Sequence, residues 1–123
     1  MNEFENIRLN AELVLKTFGE NNNVNLAFDE DSVKWLDGYI ERNRKNWDEQ
    51  KMENLSGVLG SFLGECIRSN FGGEWKMDEN GLGIVFSDGN VAYPFHKIKK
   101  QMINGEEDSI ASFYTTIPII FNQ

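Results

Sequence analysis

Side chains able to do covalent or acid–base work are few in this chain. One cysteine, Cys66, and one histidine, His96, occur in 123 residues, so a thiol–imidazole pair has a single possible composition. Cys66 falls among the apolar positions of "LSGVLGSFLGEC", which predicts a small buried hydrophobe with a raised thiol pKa and not a nucleophile. A lone cysteine also excludes an internal disulfide framework and a zinc site built on several thiolates. Acids are plentiful by comparison. Asp29, Glu30 and Asp31, and again Glu106, Glu107 and Asp108, are of the type that holds a hard cation or works as an acid–base pair. Both triplets stand where helices are expected to begin, and capping with dipole complementarity accounts for them. Glu65 is expected to pair with Arg68; with His96 and acids near the sheet it makes an alternative site, that of a small hydrolase or ligand-binding domain. "GLGIVFSDG" lacks the lysine and the following helix of a phosphate-binding loop. "DENGLGIVF" and "DEDSVK" put Leu82 and Val33 where a calcium loop needs oxygen. No catalytic residue, cofactor or metal is therefore assigned.

The elements that position these residues are legible from spacing. In "FDEDSV" Asp29 caps a helix with Phe28 and Val33 as its staple, and in "WDEQKM" Asp48 caps another with Trp47 and Met52. The first of the two runs from Glu30 to Asn46 with Val33, Leu36 and Ile40 on one stripe; Trp35 stands off that stripe. An earlier helix in "EFENIRLNAELVLKTF" is expected to turn Phe4, Ile7, Leu13 and Phe18 inward with Val14 and Leu15, and to stop at the polar stretch Gly19 to Asn25. The helix after Asp48 carries Leu55, Val58, Leu59, Phe62, Leu63 and Cys66 on one side. Gly57, Gly60, Ser61 and Gly64 gather opposite. Each interior glycine costs about 0.5–1 kcal/mol against alanine, so three on one side predict a close approach, from another part of the chain or from a second copy in a homodimer.

Beyond Gly73 the period changes to two. Taking Asn80-Gly81 and Asp88-Gly89 as two-residue hairpin loops pairs Ile84 with Met77 and Phe86 with Trp75, then Phe86 with Val91, Ile84 with Tyr93 and Leu82 with Phe95, leaving Ala92 on the polar face. "PFHKIKKQMING" gives a short helix stopped by Asn104-Gly105, and "EEDSIASFYTTI" a last helix that Pro118 should end or kink. The fold class is α+β: helices packed on one face of a three-stranded antiparallel β-meander, in the order ααα-βββ-αα, as one domain spanning 1–123.

Charge points to the kind of partner. The net charge of −8 argues against a nucleic-acid surface, which needs clustered Lys and Arg, and favours a basic protein. Lys97, Lys99 and Lys100 form the one local basic patch, read as a solvated helix face. With no apolar run near the roughly 20 residues of a spanning helix and no signal peptide, membrane partners are not expected and the location is cytoplasmic. The leading functional expectation is a non-enzymatic, immunity-like module that neutralises a basic protein, with Trp35, Glu20, Asp29, Glu30, Asp31, Glu106, Glu107 and Asp108 as contacts.

"LGSFLGECIRSNFGGEW" followed by "GNVAYPFHKIKKQMINGEEDSIASFY" resembles a family of small, uncharacterised bacterial proteins of about this length, over the stretch from Trp35 to Phe121. The resemblance implies a bacterial, single-domain, helix-plus-meander protein and transfers no catalytic residue.

Overall fold

A computed structural model describes residues 2–121. The fold is α+β: five helices and one three-stranded antiparallel sheet in the order β1-β2-β3. α1 (Glu3–Leu13) starts at Asn2, whose side chain accepts the Glu5 backbone N–H at 2.9 Å. It does not stop at Gly19. A π turn, Val14–Phe18, and a last α turn, Gly19–Asn21, carry it on. The Asn22 side chain then donates to the Phe18 carbonyl at 2.9 Å, and Asn23 turns the chain at φ 53°. A π turn accommodates one more residue per turn and rotates everything around it. Up to its first residue the inward line is Ile7, Ala11 and Val14, at ordinary helical spacing; Leu13 lies off that line, and Phe4 and Leu13, expected in the core, are 47% and 45% exposed.

α2 (Glu30–Asn43) and α3 (Glu49–Phe71) begin at the expected caps: Asp29 accepts the Ser32 N–H and Asp48 the Lys51 N–H, each at 2.8 Å. Leu36 and Ile40 of α2 and Leu59, Phe62, Leu63 and Ile67 of α3 are fully buried. α3 is the central element, packed against α1 on one side and the fourth helix on the other. Its glycine side is covered from within the chain. A Cβ at Gly60 would overlap the Phe95 ring and one at Gly64 the indole of Trp75, whereas nothing lies within 4 Å of that position at Gly57. Ser61 is buried and donates to the Gly57 carbonyl at 2.8 Å. Two aromatic rings thus occupy the ground that a second copy would need at Gly60 and Gly64.

The meander, β1 (Glu74–Asp78), β2 (Gly81–Val85) and β3 (Val91–Ala92), forms with other registers than the hairpin dipeptides predict. Trp75 pairs with Ile84 and Met77 with Leu82, so the first loop is Glu79-Asn80. A type I′ turn needs positive φ at both central residues, and here only Gly81, at +111°, has it. The Asp78 side chain instead accepts the Asn80 N–H at 2.7 Å and closes the turn one step earlier. The second loop has three residues, Ser87 to Gly89: Phe86 N–H donates to Asn90 O and Gly89 N–H to Phe86 O, both at 2.9 Å, with Gly89 at φ +89°. That extra residue turns β3 over, because the side-chain period in a strand is two. Ala92 pairs with Ile84 and is buried, and Val91 is only half-buried. Phe95 never enters the sheet, because Pro94 opens a helix, the position where its missing N–H costs nothing.

α4 (Pro94–Asn104) ends as expected at Gly105, φ +79°, and a 3₁₀ turn, Gly105–Asp108, leads to α5 (Ile110–Ile120). Ser109 caps α5 by accepting the Ser112 N–H at 3.1 Å. Pro118 lies inside its last turn, and the helix continues to Ile120.

Candidate functional site

Spacing does not single out one buried, heavily bonded carboxylate. Asp37 lies beside the apolar stripe of α2 and is 6% exposed. Its Oδ2 accepts the Ser109 hydroxyl and, at 3.0 Å, the Ala111 backbone N–H; its Oδ1 accepts Gln101 Nε2 at 3.1 Å. Gln101, fully buried on α4, accepts the Ile110 N–H at 2.9 Å with its other end. The first two backbone donors of α5, which no helical carbonyl can serve, are thereby satisfied by side chains from two other helices, and the carboxylate faces the positive end of the α5 dipole. Burial pushes the Asp37 carboxyl up, but the bonds from Ser109, Ala111 and Gln101 outweigh it and hold its pKa below the usual 3.8. Glu106 answers in the opposite sense: burial first, then the charge of Asp37, raise it above 4.5. Arg44 completes the cluster. It donates to the Met102 and Ile103 carbonyls at 3.3 and 3.2 Å, lies 3.7 Å from Glu41, and fills the space above Gly105. Every Asp37 oxygen is engaged by α4 or α5, so the knot locks three helices together.

Glu65 and His96, the alternative pair, are not brought to one place. Glu65 Oε2 accepts Trp75 Nε1 at 2.9 Å and Arg68 Nη1 at 2.8 Å, so the expected ion pair with Arg68 forms and a tryptophan joins it. His96 lies over the other hairpin end, where its Nε2 meets the Asn80 carbonyl at 2.9 Å and its ring stands edge-on to Tyr93. Glu65 borders a cleft with Phe4, Arg8 and Glu74, whereas His96 lines another with Gly57, Gly81 and Leu82. The missing contact has a helical cause: positions 57 and 65 of α3 are about 12 Å apart along its axis at 1.5 Å per residue. Cys66 is buried, and burial, reinforced by the charge of Asp29, drives its thiol pKa far up.

The predicted contact residues are distributed over separate surfaces. Asp29, Glu30 and Asp31 sit at the start of α2, Glu30 paired with Lys34 at 3.2 Å. Glu106 lies instead beside Asp37 and Glu41, two turns further along that helix, and Glu20 belongs to the last turn after α1. Asp108 accepts the Asn104 amide at 2.7 Å, and Glu107 is exposed. Among the described residues, no group of three or more His, Cys, Asp or Glu is placed to hold a metal ion. Trp35 is half-buried and stacks on Tyr39 at 5.3 Å, in a row that continues to Phe18 and Trp47. The basic patch is largely spent within the chain: Lys97 sits 4.7 Å from the centre of the Phe113 ring and Lys99 pairs with Glu53 at 2.9 Å. No helix among the described residues is long and apolar enough to cross a membrane. Compared with family models, curated proteins and solved structures, the chain matches none.

Proposed function

We propose that this chain is a non-enzymatic, acidic protein-binding module that neutralises a basic partner protein in the manner of an immunity protein. The observation that supports it is the excess of acidic side chains, 20 Asp and Glu against 12 Lys and Arg, most of the acids being exposed. Lys34, Arg44, Arg68 and Lys99 each face a carboxylate of the same chain, and Lys97 is held on an aromatic ring. Glu20, Asp31 and Glu107 are exposed and, among the described residues, have no such partner. The net charge of −8 makes the surface field negative, and such a field accelerates encounter with a positive surface. Trp35, half-buried over Tyr39, offers an amphipathic anchor beside it.

Salt decides the matter. A partner held this way is captured at low ionic strength and released as the screening length falls below roughly 10 Å near 0.1 M. Charge reversal at Asp31 and Glu107 together should slow association and weaken the salt dependence, while the fold is retained at a cost of about 1 kcal/mol for the charge lost from the start of α2. Failure to capture any specific basic protein at low salt, or a complex indifferent to both salt and the reversals, sinks the reading.

A further inference from the structure

The cleft beside Glu65 has a composition that protein docking through the acidic surface does not use. It lies between the beginning of α1, the flank of α3 and the start of β1, has a volume of about 340 Å³, and is lined by Phe4, Arg8, Glu65, Arg68, Glu74 and Trp75. Two of its four charges are fixed. Glu65 takes both the Trp75 indole N–H and the Arg68 guanidinium on one oxygen, which holds the tryptophan ring and the arginine in place. The other two are open. Among the described residues, neither Arg8 nor Glu74 has a hydrogen-bond or ion-pair partner, although the two bear opposite charges and line the same cleft. Phe4 stands at the rim, 47% exposed.

We propose that this cleft binds a small zwitterion with an apolar body, an amino acid or a dipeptide. The carboxylate meets Arg8, where a guanidinium can donate two parallel bonds, the ammonium meets Glu74, and the apolar body covers Phe4. A bare anion fits less well, since two carboxylates line the cleft on a molecule of net charge −8. A bare cation fits less well, since two guanidinium groups line it too. Ligand pockets start at about 300 Å³, which suits an occupant of this size. The site is independent of the acidic protein-binding surface, and failure of either leaves the other standing.

Calorimetric titration of the full chain tests it with four probes: L-phenylalanine, L-alanyl-L-phenylalanine, N-acetyl-L-phenylalanine, which lacks the ammonium, and L-phenylalaninamide, which lacks the carboxylate. At ordinary ligand efficiency a zwitterion of this size binds with a Kd of about 1 mM, and each singly charged analogue about tenfold more weakly. The tighter of the two zwitterions identifies the occupant as amino acid or dipeptide. Arg8→Gln should erase the preference for L-phenylalanine over its amide, and Glu74→Gln its preference over the acetylated form; both side chains are exposed, and circular dichroism confirms that the variants fold. No saturable binding of either zwitterion, equal binding of all four probes, or unchanged affinities in both variants overturns the proposal.

Discussion

Substituting alanine at Gly64 and at Gly57 puts the same methyl group on the same helix with opposite expected results. Helix propensity favours both changes by about 0.5–1 kcal/mol. At Gly57 nothing lies within 4 Å of the new atom, so that gain should be realised in full. At Gly64 the methyl would overlap the six-membered ring of Trp75, whose Nε1 donates to Glu65 at 2.9 Å. The indole can move only by giving up that bond, worth about 1.5–3 kcal/mol to a charged acceptor, and by disturbing a packed site, worth about 1–3 kcal/mol more. Gly64→Ala should therefore lose about 1.5–5.5 kcal/mol net while Gly57→Ala gains. Urea unfolding followed by tryptophan fluorescence and by far-ultraviolet circular dichroism measures both, with the m-value checking that the unfolded states remain comparable. Equal stability of the two variants would refute the packing argument, and with it the reason for glycine in this helix.

Asp37→Asn should cost about 2–3 kcal/mol at neutral pH, since a neutral amide replaces a carboxylate facing three donors. Because the folded pKa of Asp37 is lowered, the wild type's advantage is complete above the free value of 3.8 and shrinks as pH falls through the folded one. Glu106 runs the other way: raised above 4.5, its contribution is complete below that value and fades as pH rises through its folded pKa. A stability difference between wild type and Asp37→Asn that stays constant down to pH 2 would contradict this linkage. Cys66 should react with a thiol reagent such as 5,5′-dithiobis(2-nitrobenzoate) only as fast as the chain opens, so its rate should rise with urea in step with unfolding; rapid labelling of the native protein would contradict its burial.

Local signals in the sequence carried through where a single residue decides an outcome. Asp29 and Asp48 cap because a carboxylate before a helix has its donors two or three residues away, and Gly105 stops α4 because few other residues accept its backbone angles. Prediction failed where two nearby signals compete. Asn80-Gly81 is a strong hairpin dipeptide, yet Asp78 offers the Asn80 N–H a side-chain acceptor and moves the loop by one residue. A stripe that places Phe4 and Leu13 inside is drawn too broadly: at about 100° per residue Leu13 lies about 120° around the helix from Ile7, and Phe4 belongs to the first turn, where it is left exposed. Asp37 was illegible for another reason: its donors come from Gln101, Ser109 and Ala111, at least 64 positions away. Of the expected site residues, Glu65 with Arg68 was recoverable because three-residue spacing makes helix neighbours; the open pair Arg8 and Glu74 belongs to separate elements and gives no comparable signal.

The Asp37 knot also bears on how the molecule assembles as it is synthesised. Residue 37 leaves the ribosome long before residues 101 to 111, so until the last helix arrives its carboxylate must stay hydrated, and α2 has no favourable way to close over it. Once α5 supplies its donors, loosening α5 strands the Asp37 carboxylate and loosening α2 strands the Ala111 N–H, which couples the melting of these two helices.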